Sequence, residues 1–158
     1  AAFVLTFALG FSEQLQTFTR EQSAAYLTGQ LALDDFMYTN TGAYYGALQN
    51  LATLPAGSQV RLMWEPRTYY CPSTVTCIPD SLFDHWARPQ LYGATPQEVF
   101  AQFRESGDDY MLFFHSGYDL YLNVSHHADQ DRLFPQMIAD YLTPVWTDEV
   151  RYTLYTWK

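Results

Sequence analysis

The hydrophobic and polar positions of this chain follow two periods in turn, which predicts helices alternating with strands. Between residues 33 and 54, apolar side chains recur at three- and four-residue steps, as in an amphipathic helix. Residues 60–64 form a nearly continuous apolar run, which is typical of a strand covered on both faces. Residues 110–114 repeat that pattern. Residues 150–157 alternate apolar with polar side chains and predict a last strand at an edge of the sheet.

Two further helices are indicated by their end signals. Thr95-Pro96-Gln97-Glu98 has the form of a capping box with proline at the first helical position, and Gly107 ends that helix. A later helix is expected to begin at a cap supplied by Asp129 or Asp131 and to end at Thr143-Pro144. The succession of helices and strands predicts a layered, three-layer-like α/β domain, with a small mostly parallel sheet flanked by helices.

The chain divides into three parts by composition. Residues 1–11 are almost entirely apolar but too few to cross a bilayer, which takes about 20 residues. They are interpreted as the end of a membrane helix, with a buried element of the domain as the alternative. Residues 12–32 are predicted to form a connector helix, and residues 33–158 a single α/β domain.

The charge of the chain excludes some partners. Its net charge is −9, and Lys158 is the single lysine. A protein that binds nucleic acid presents a basic patch to the phosphates, and no such patch can be read here. A polybasic contact with an anionic membrane is disfavoured for the same reason. Scarce lysine and arginine fit a segment on the outer side of a membrane.

The two cysteines are separated by five residues. Cys71 and Cys77 lack the spacing of a zinc ribbon or a thioredoxin-like redox centre. A disulfide that closes a small loop is favoured over two free thiols. Such a bond implies an oxidising compartment, either periplasmic or extracellular.

The common cofactor and metal motifs are not found in the sequence. No glycine-rich phosphate loop and no GxSxG nucleophile elbow occurs, so no cofactor is expected. His126 and His127 precede Asp129 and Asp131, but adjacent histidines diverge on a strand or a helix and rarely bind one ion. No metal site is therefore predicted, and the aspartates are better explained as helix caps.

A charged and aromatic segment follows the strand at residues 60–64, where an α/β sheet commonly places a site. Glu65 and Arg67 are spaced to share one face, and two tyrosines add hydroxyl donors and rings that suit a sugar or phosphate contact. The alternative is that Glu65 and Arg67 only pin the loop to the domain. The predicted ligand- or partner-facing surface comprises Glu65, Arg67, Tyr69, Tyr70, His115 and Tyr118.

The order of these pieces resembles a known family. The features that carry the resemblance are a membrane-helix-like tail, a helix around residues 44–51, the segment 54–60, the sequence Trp64-Glu65-Pro66-Arg67-Thr68-Tyr69-Tyr70, residues 109–112 and a late strand. In this order they resemble the C-terminal soluble domain of bacterial polytopic membrane glycosyltransferases, the dolichyl-phosphate-mannose mannosyltransferase-like (GT-C) group.

The resemblance implies a function and a location. In that family the catalytic acid lies in a loop upstream of anything present here, and a polyprenyl-phosphate sugar is the usual donor. The chain would then be a non-catalytic extracytoplasmic, membrane-attached domain that binds an acceptor or contacts the membrane-embedded part of the same or an associated protein. Carbohydrate or a polyprenyl-linked sugar would be its ligand. Two alternatives stay open: a free-standing interaction subunit of a membrane complex, and a small hydrolase using His85 or His115.

Overall fold

A computed structural model describes residues 2–125 and 128–158. The chain forms two compact units, residues 1–45 and residues 46–158. The α/β class predicted from the sequence is confirmed, with a five-stranded mixed sheet flanked by helices. His126 and His127 lie outside the described residues.

The first unit is helical. Its elements are α1 (Ala2–Arg20), α2 (Ser23–Leu27) and α3 (Leu33–Thr41). The ring of Tyr26 in α2 stacks on Phe36 in α3 at 4.5 Å between centroids, and the Asn40 side chain donates to the Glu21 carbonyl at 3.1 Å. Helix α1 is continuous through residues 11 and 12. Among the described residues, no helix has both the length and the apolar character required to span a bilayer.

The second unit contains the sheet. Its helices are α4 (Ala43–Leu51, which begins before the unit boundary), α5 (Ala87–Leu91), α6 (Pro96–Glu105), α7 (His115–Val124), α8 (Ala128–Asp131) and α9 (Phe134–Tyr141). Its strands are β1 (Gln59–Met63), β2 (Thr76–Ile78), β3 (Tyr110–Phe114), β4 (Leu142–Thr147) and β5 (Tyr152–Trp157). The capping box of α6 is present as predicted.

The sheet has the strand order β2-β1-β3-β5-β4. Strand β1 pairs in parallel with β2 and β3, whereas β5 pairs antiparallel with β3 and β4. The sheet is therefore mixed, with two parallel and two antiparallel pairs. The prediction that the last strand forms an edge is wrong, because β5 lies between β3 and β4 in the sheet. The register of β4 shifts between Pro144 and Trp146.

Four local predictions differ from the structure. The helix predicted over residues 33–54 is two helices, because Gly42 between α3 and α4 adopts a positive φ of 60°. The tip predicted as irregular after residue 114 is helix α7. Neither Asp129 nor Asp131 is the cap of α9, which begins after Leu133. Strand β4 occupies the segment around Pro144 that was interpreted only as a helix end.

The main core cluster packs aromatic side chains between the sheet and the helices α6 and α9. Trp64 and Trp86 both meet the ring of Phe134 edge-on, at 4.5 and 5.1 Å between centroids. Phe100 of α6 joins them at 5.6 Å from Phe134. Edge-to-face contacts of this kind add to the hydrophobic stabilisation of the buried area. They fix the segment that carries Trp86 against α6, and this segment forms one wall of the cleft described next.

Candidate functional site

The predicted surface at residues 65–70 is partly interior. Glu65 is fully buried. Its Oε1 accepts from the backbone N–H of Arg67 at 3.0 Å and from Arg67 Nε at 2.7 Å. Its Oε2 accepts from Arg67 Nη2 at 2.7 Å and from the Tyr152 hydroxyl at 2.6 Å. Both carboxylate oxygens are therefore used inside the domain, as a buried charge requires.

The two tyrosines of that segment remain at the surface. Tyr69 is 92% exposed and Tyr70 52%. They precede the loop closed by the disulfide between Cys71 and Cys77, a bond that the sequence predicted and the structure confirms. Cys77 lies in β2, so the disulfide ties the tyrosine-bearing loop to an edge of the sheet.

His115 and Tyr118 belong to α7 and face largely inward. His115 Nε2 lies 2.9 Å from Thr153 Oγ1, and burial lowers the pKa of His115 against the opposing effects of Asp148 and Asp119. The Tyr118 hydroxyl donates to a backbone carbonyl in α8 at 2.9 Å, and burial raises the pKa of Tyr118 to about 12. The structure therefore joins Glu65 to Arg67 but does not assemble the six predicted residues into one exposed face.

A cleft of about 500 Å³ lies elsewhere, between the segment 79–89 and helix α6. Its volume is in the range of small-molecule sites, about 300–1,000 Å³. Its lining residues are Arg61, Pro79, Ser81, Leu82, Asp84, His85, Arg88, Pro89, Gln102, Phe103 and Ser106. Of these, His85 alone is a candidate from the sequence, as a hydrolase residue. Arg61 did leave a signal, since it is the one charged side chain within the apolar run at residues 60–64.

Arg61 lies at the cleft with its guanidinium held on several sides. Its Nε pairs with the buried carboxylate of Asp108. Its Nη2 donates to Ser106 Oγ at 3.1 Å, and its carbon Cζ lies 4.5 Å from the centre of the Phe103 ring. These contacts position Nη1 against His85. The arginine is a fixed part of the wall, and its charge is neutralised by Asp108.

The contact between Arg61 and His85 favours the neutral tautomer of the histidine ring whose hydrogen is on Nε2. Arg61 Nη1 lies 3.3 Å from His85 Nδ1. Because a guanidinium only donates hydrogen bonds, Nδ1 is the acceptor and Nε2 carries the hydrogen of the ring. His85 therefore contributes an N–H donor from Nε2.

Asp80 shapes the turn at the start of the segment 79–89, which forms one wall of the cleft. It is fully buried, and its carboxylate accepts the backbone N–H groups of Trp64 at 3.1 Å, Asp84 at 2.9 Å and His85 at 3.2 Å. Burial raises the pKa of Asp80, while the nearby His85 and the three N–H groups act in the opposite direction. Asp80 is thus the anchor of the turn.

The same residues include a possible set of metal ligands. Ligand atoms of Asp80, Asp84 and His85 lie within 4.8 Å of one another. A cation there would meet the Arg61 guanidinium at the Nδ1 atom of His85, and both oxygens of Asp80 already accept backbone hydrogen bonds. The local chemistry therefore disfavours a metal ion at this group.

A second cavity of about 650 Å³ lies at the amino ends of β1 and β3. Asp108 and Asp109 line it, but Asp109 accepts the Gln59 backbone N–H at 2.9 Å, and Asp108 accepts the Gln59 side chain at 2.9 Å. These carboxylates hold the two strand ends together. The cleft at His85 is therefore the better candidate for ligand binding.

No protein-family model, curated protein or solved structure shows significant similarity to this chain.

Proposed function

We propose that this chain is a non-catalytic extracytoplasmic domain of a membrane glycosyltransferase that uses a polyprenyl-phosphate sugar donor. Its role would be to bind an acceptor or to contact the membrane-embedded part of the enzyme. The order of sequence features supports this proposal, as does the Cys71–Cys77 disulfide, which is more common in oxidising compartments. The scarcity of lysine and arginine points in the same direction.

One structural observation carries the non-catalytic part of the proposal. The acid that follows β1, Glu65, is fully buried and is bonded through both oxygens to Arg67 and Tyr152. The histidine that follows β3, His115, is engaged with Thr153. The ionisable groups at the carboxyl ends of these two parallel strands thus stabilise the fold, whereas the cleft at His85 is lined by other polar side chains.

The hydrolase alternative requires a histidine that accepts a proton from a nucleophile. His85 shares the cleft with Ser81 and Ser106 and lies 3.9 Å from Asp80. In a catalytic triad the carboxylate bonds Nδ1–H and leaves Nε2 free to accept. Here Nδ1 accepts from Arg61, which leaves the hydrogen on Nε2. This arrangement is reversed relative to a triad and favours the binding role.

The intact mass of the native protein tests the proposal. The protein would be purified in detergent from its source and measured with and without reductant and alkylating reagent. A mass well above 18.3 kDa is expected, because the domain would belong to a much longer polypeptide. A mass near 18.3 kDa would overturn the proposal in favour of a free-standing subunit. Alkylation of Cys71 and Cys77 without reductant would contradict the oxidising location.

A further inference from the structure

We infer that the cleft between the segment 79–89 and α6 binds the hydroxyl groups of a neutral saccharide. This inference deepens the proposed function, on which it rests, by naming the class of acceptor.

The charges at the cleft are balanced within the protein. Arg61 is paired with the buried Asp108. Arg88 Nη1 lies 3.7 Å from Asp84 Oδ2, four residues before it on the chain. Asp80 adds a buried carboxyl behind the cleft. An anion would find no uncompensated positive charge here, and a chain with a net charge of −9 would repel it further. Charge balance therefore favours a neutral ligand.

The polar groups that line the cleft include both donors and acceptors. Arg88 only donates, Asp84 only accepts, and Gln102 and Ser81 do both. His85 adds the Nε2 hydrogen that the Arg61 contact leaves on that atom. Each hydroxyl of a sugar is at once a donor and an acceptor, so neighbouring hydroxyls need both kinds of partner side by side. The pair Asp84–Arg88 supplies both within 3.7 Å.

The rim of the cleft offers apolar contact without an aromatic platform. Leu82 is exposed, and Pro79 and Pro89 line the same cavity. Phe103 is buried beneath the Arg61 guanidinium and cannot stack with a ligand. A pyranose ring has a face of C–H groups, which would pack on Leu82 and the prolines while its hydroxyls meet the polar groups. Such mixed lining is typical of small-molecule sites.

The test is a titration of the 15N-labelled 158-residue chain, followed by NMR, with neutral mono- and disaccharides, inorganic phosphate and calcium chloride as separate probes. A saccharide is expected to shift the resonances of residues 81–89 and 102, whereas phosphate and calcium are not. Gln102→Ala is expected to weaken saccharide binding about fivefold, since it removes one hydrogen-bonding group. Gln97→Ala, on the same helix but outside the cleft, is the matched control and should leave the affinity unchanged.

Several results would overturn the inference. These are no saccharide-dependent shift at the cleft, a larger shift with phosphate or calcium, or equal weakening by Gln97→Ala and Gln102→Ala. The outcome is separable from that of the mass measurement. Saccharide binding by a native protein of 18.3 kDa would support the binding role of the cleft and refute the proposal that the chain belongs to a glycosyltransferase. A large native mass without saccharide binding would refute only the inference that the cleft binds a saccharide.

Discussion

A hydrogen-bonded network at the carboxyl end of β1 joins Glu65 and Arg67 to Tyr152, which is 85 residues further along the chain than Arg67. Tyr152 donates its hydroxyl hydrogen to Glu65 at 2.6 Å and accepts from Arg67 Nη2 at 2.6 Å. Such a network stabilises a buried carboxylate only while all its members are present. The network therefore holds β5 and the segment after β1 in one arrangement.

Removal of the Tyr152 hydroxyl tests this network. Tyr152→Phe is expected to lower the free energy of unfolding by about 1–3 kcal/mol, because a hydrogen bond to a buried charge is lost. Urea unfolding monitored by fluorescence would measure the change. Tyr69→Phe is the control, since Tyr69 is exposed and its change should stay within about 0.5 kcal/mol. Equal effects of the two substitutions would contradict the structural role of the network.

Gly117 allows α7 to approach the end of β1. A Cβ atom added there would lie 2.4 Å from the Trp64 carbonyl oxygen and 2.7 Å from Phe114 Cδ1. Because the nearest atom is backbone, Gly117→Ala is expected to cost about 3 kcal/mol of unfolding free energy. Gly46 in α4 has only Trp146 at 4.0 Å, so Gly46→Ala should instead stabilise by about 0.5–1 kcal/mol. Thermal unfolding of both variants would show whether the signs differ as expected.

The residues that the sequence revealed are those whose partners are close along the chain. The Cys71–Cys77 pair is six residues apart, and Glu65 and Arg67 are two apart. Arg61 could not be assigned in this way, because its partner Asp108 is 47 residues away. Its role depends on β1 and the start of β3 being neighbours, which only the tertiary fold establishes.

At the scale of elements, the disulfide is the main constraint on β2. This strand has three residues and pairs with β1 alone, so its pairing energy is small. The Cys71→Ser, Cys77→Ser double variant is expected to lose about 2 kcal/mol, the loop-closure value for a loop of this size. Unfolding in denaturant would give the stability, and hydrogen exchange at the β2 amides would show local loosening. Unchanged exchange there would refute the constraint on β2.

Helix α6 begins with a capping box whose contribution depends on pH. The backbone N–H of Thr95, and then its hydroxyl, hold the pKa of Glu98 below its usual range. A lowered carboxyl pKa means that the stabilisation is present at neutral pH and is lost as the pH falls through that value. Glu98→Gln should therefore destabilise at neutral pH and converge with the unchanged protein in acid. Thermal unfolding between neutral and acidic pH measures this.

A control for the capping box lies at the other end of the same helix. Glu105 is in the last turn of α6, where a negative charge opposes the helix dipole. Glu105→Gln should be neutral or slightly stabilising at neutral pH. Destabilisation of similar size by both substitutions would show that the effect is not specific to the cap.

Elements with a strong local signal were predicted, and those formed by tertiary contacts were missed. The cap of α6 and the apolar run of β3 were evident in the sequence. Helix α7 follows β3 without a capping residue, and Gly117 in its first turn resembles a loop residue. Strand β4 contains Pro144, and its strand geometry comes from pairing with β5.

At the scale of the whole molecule, the predicted α/β class is confirmed because helix and strand periods alternate over most of the chain. The mixed character of the sheet could not be read from that alternation, since periodicity does not give the direction of a strand. The predicted strand β5 runs antiparallel to β3, and its other neighbour β4 carried no strand signal. The cleft was missed for a related reason: its residues come from β1, the segment 79–89 and α6, which meet only in the fold.

The net charge predicts a salt effect on stability. Seventeen acidic residues against eight basic ones create repulsion in the folded state at neutral pH. Adding sodium chloride to about 0.15 M, where the screening length is about 8 Å, should raise the melting temperature. Calorimetry at low and moderate salt would measure the rise, and near the isoelectric point of about 4.6 it should disappear. A rise of equal size at both pH values would contradict the explanation by charge.

The two ends of the sheet have a consequence for how the protein behaves in concentrated solution. An edge strand offers unpaired backbone groups onto which another chain can add a strand. Here one edge is the three-residue β2, tied down by the disulfide, and the other is β4, which contains Pro144 and a register shift. Proline lacks the N–H that a ladder requires, and an irregular edge bends away from a flat partner. Both edges therefore resist intermolecular strand addition, which protects an aromatic-rich chain from aggregating through its sheet.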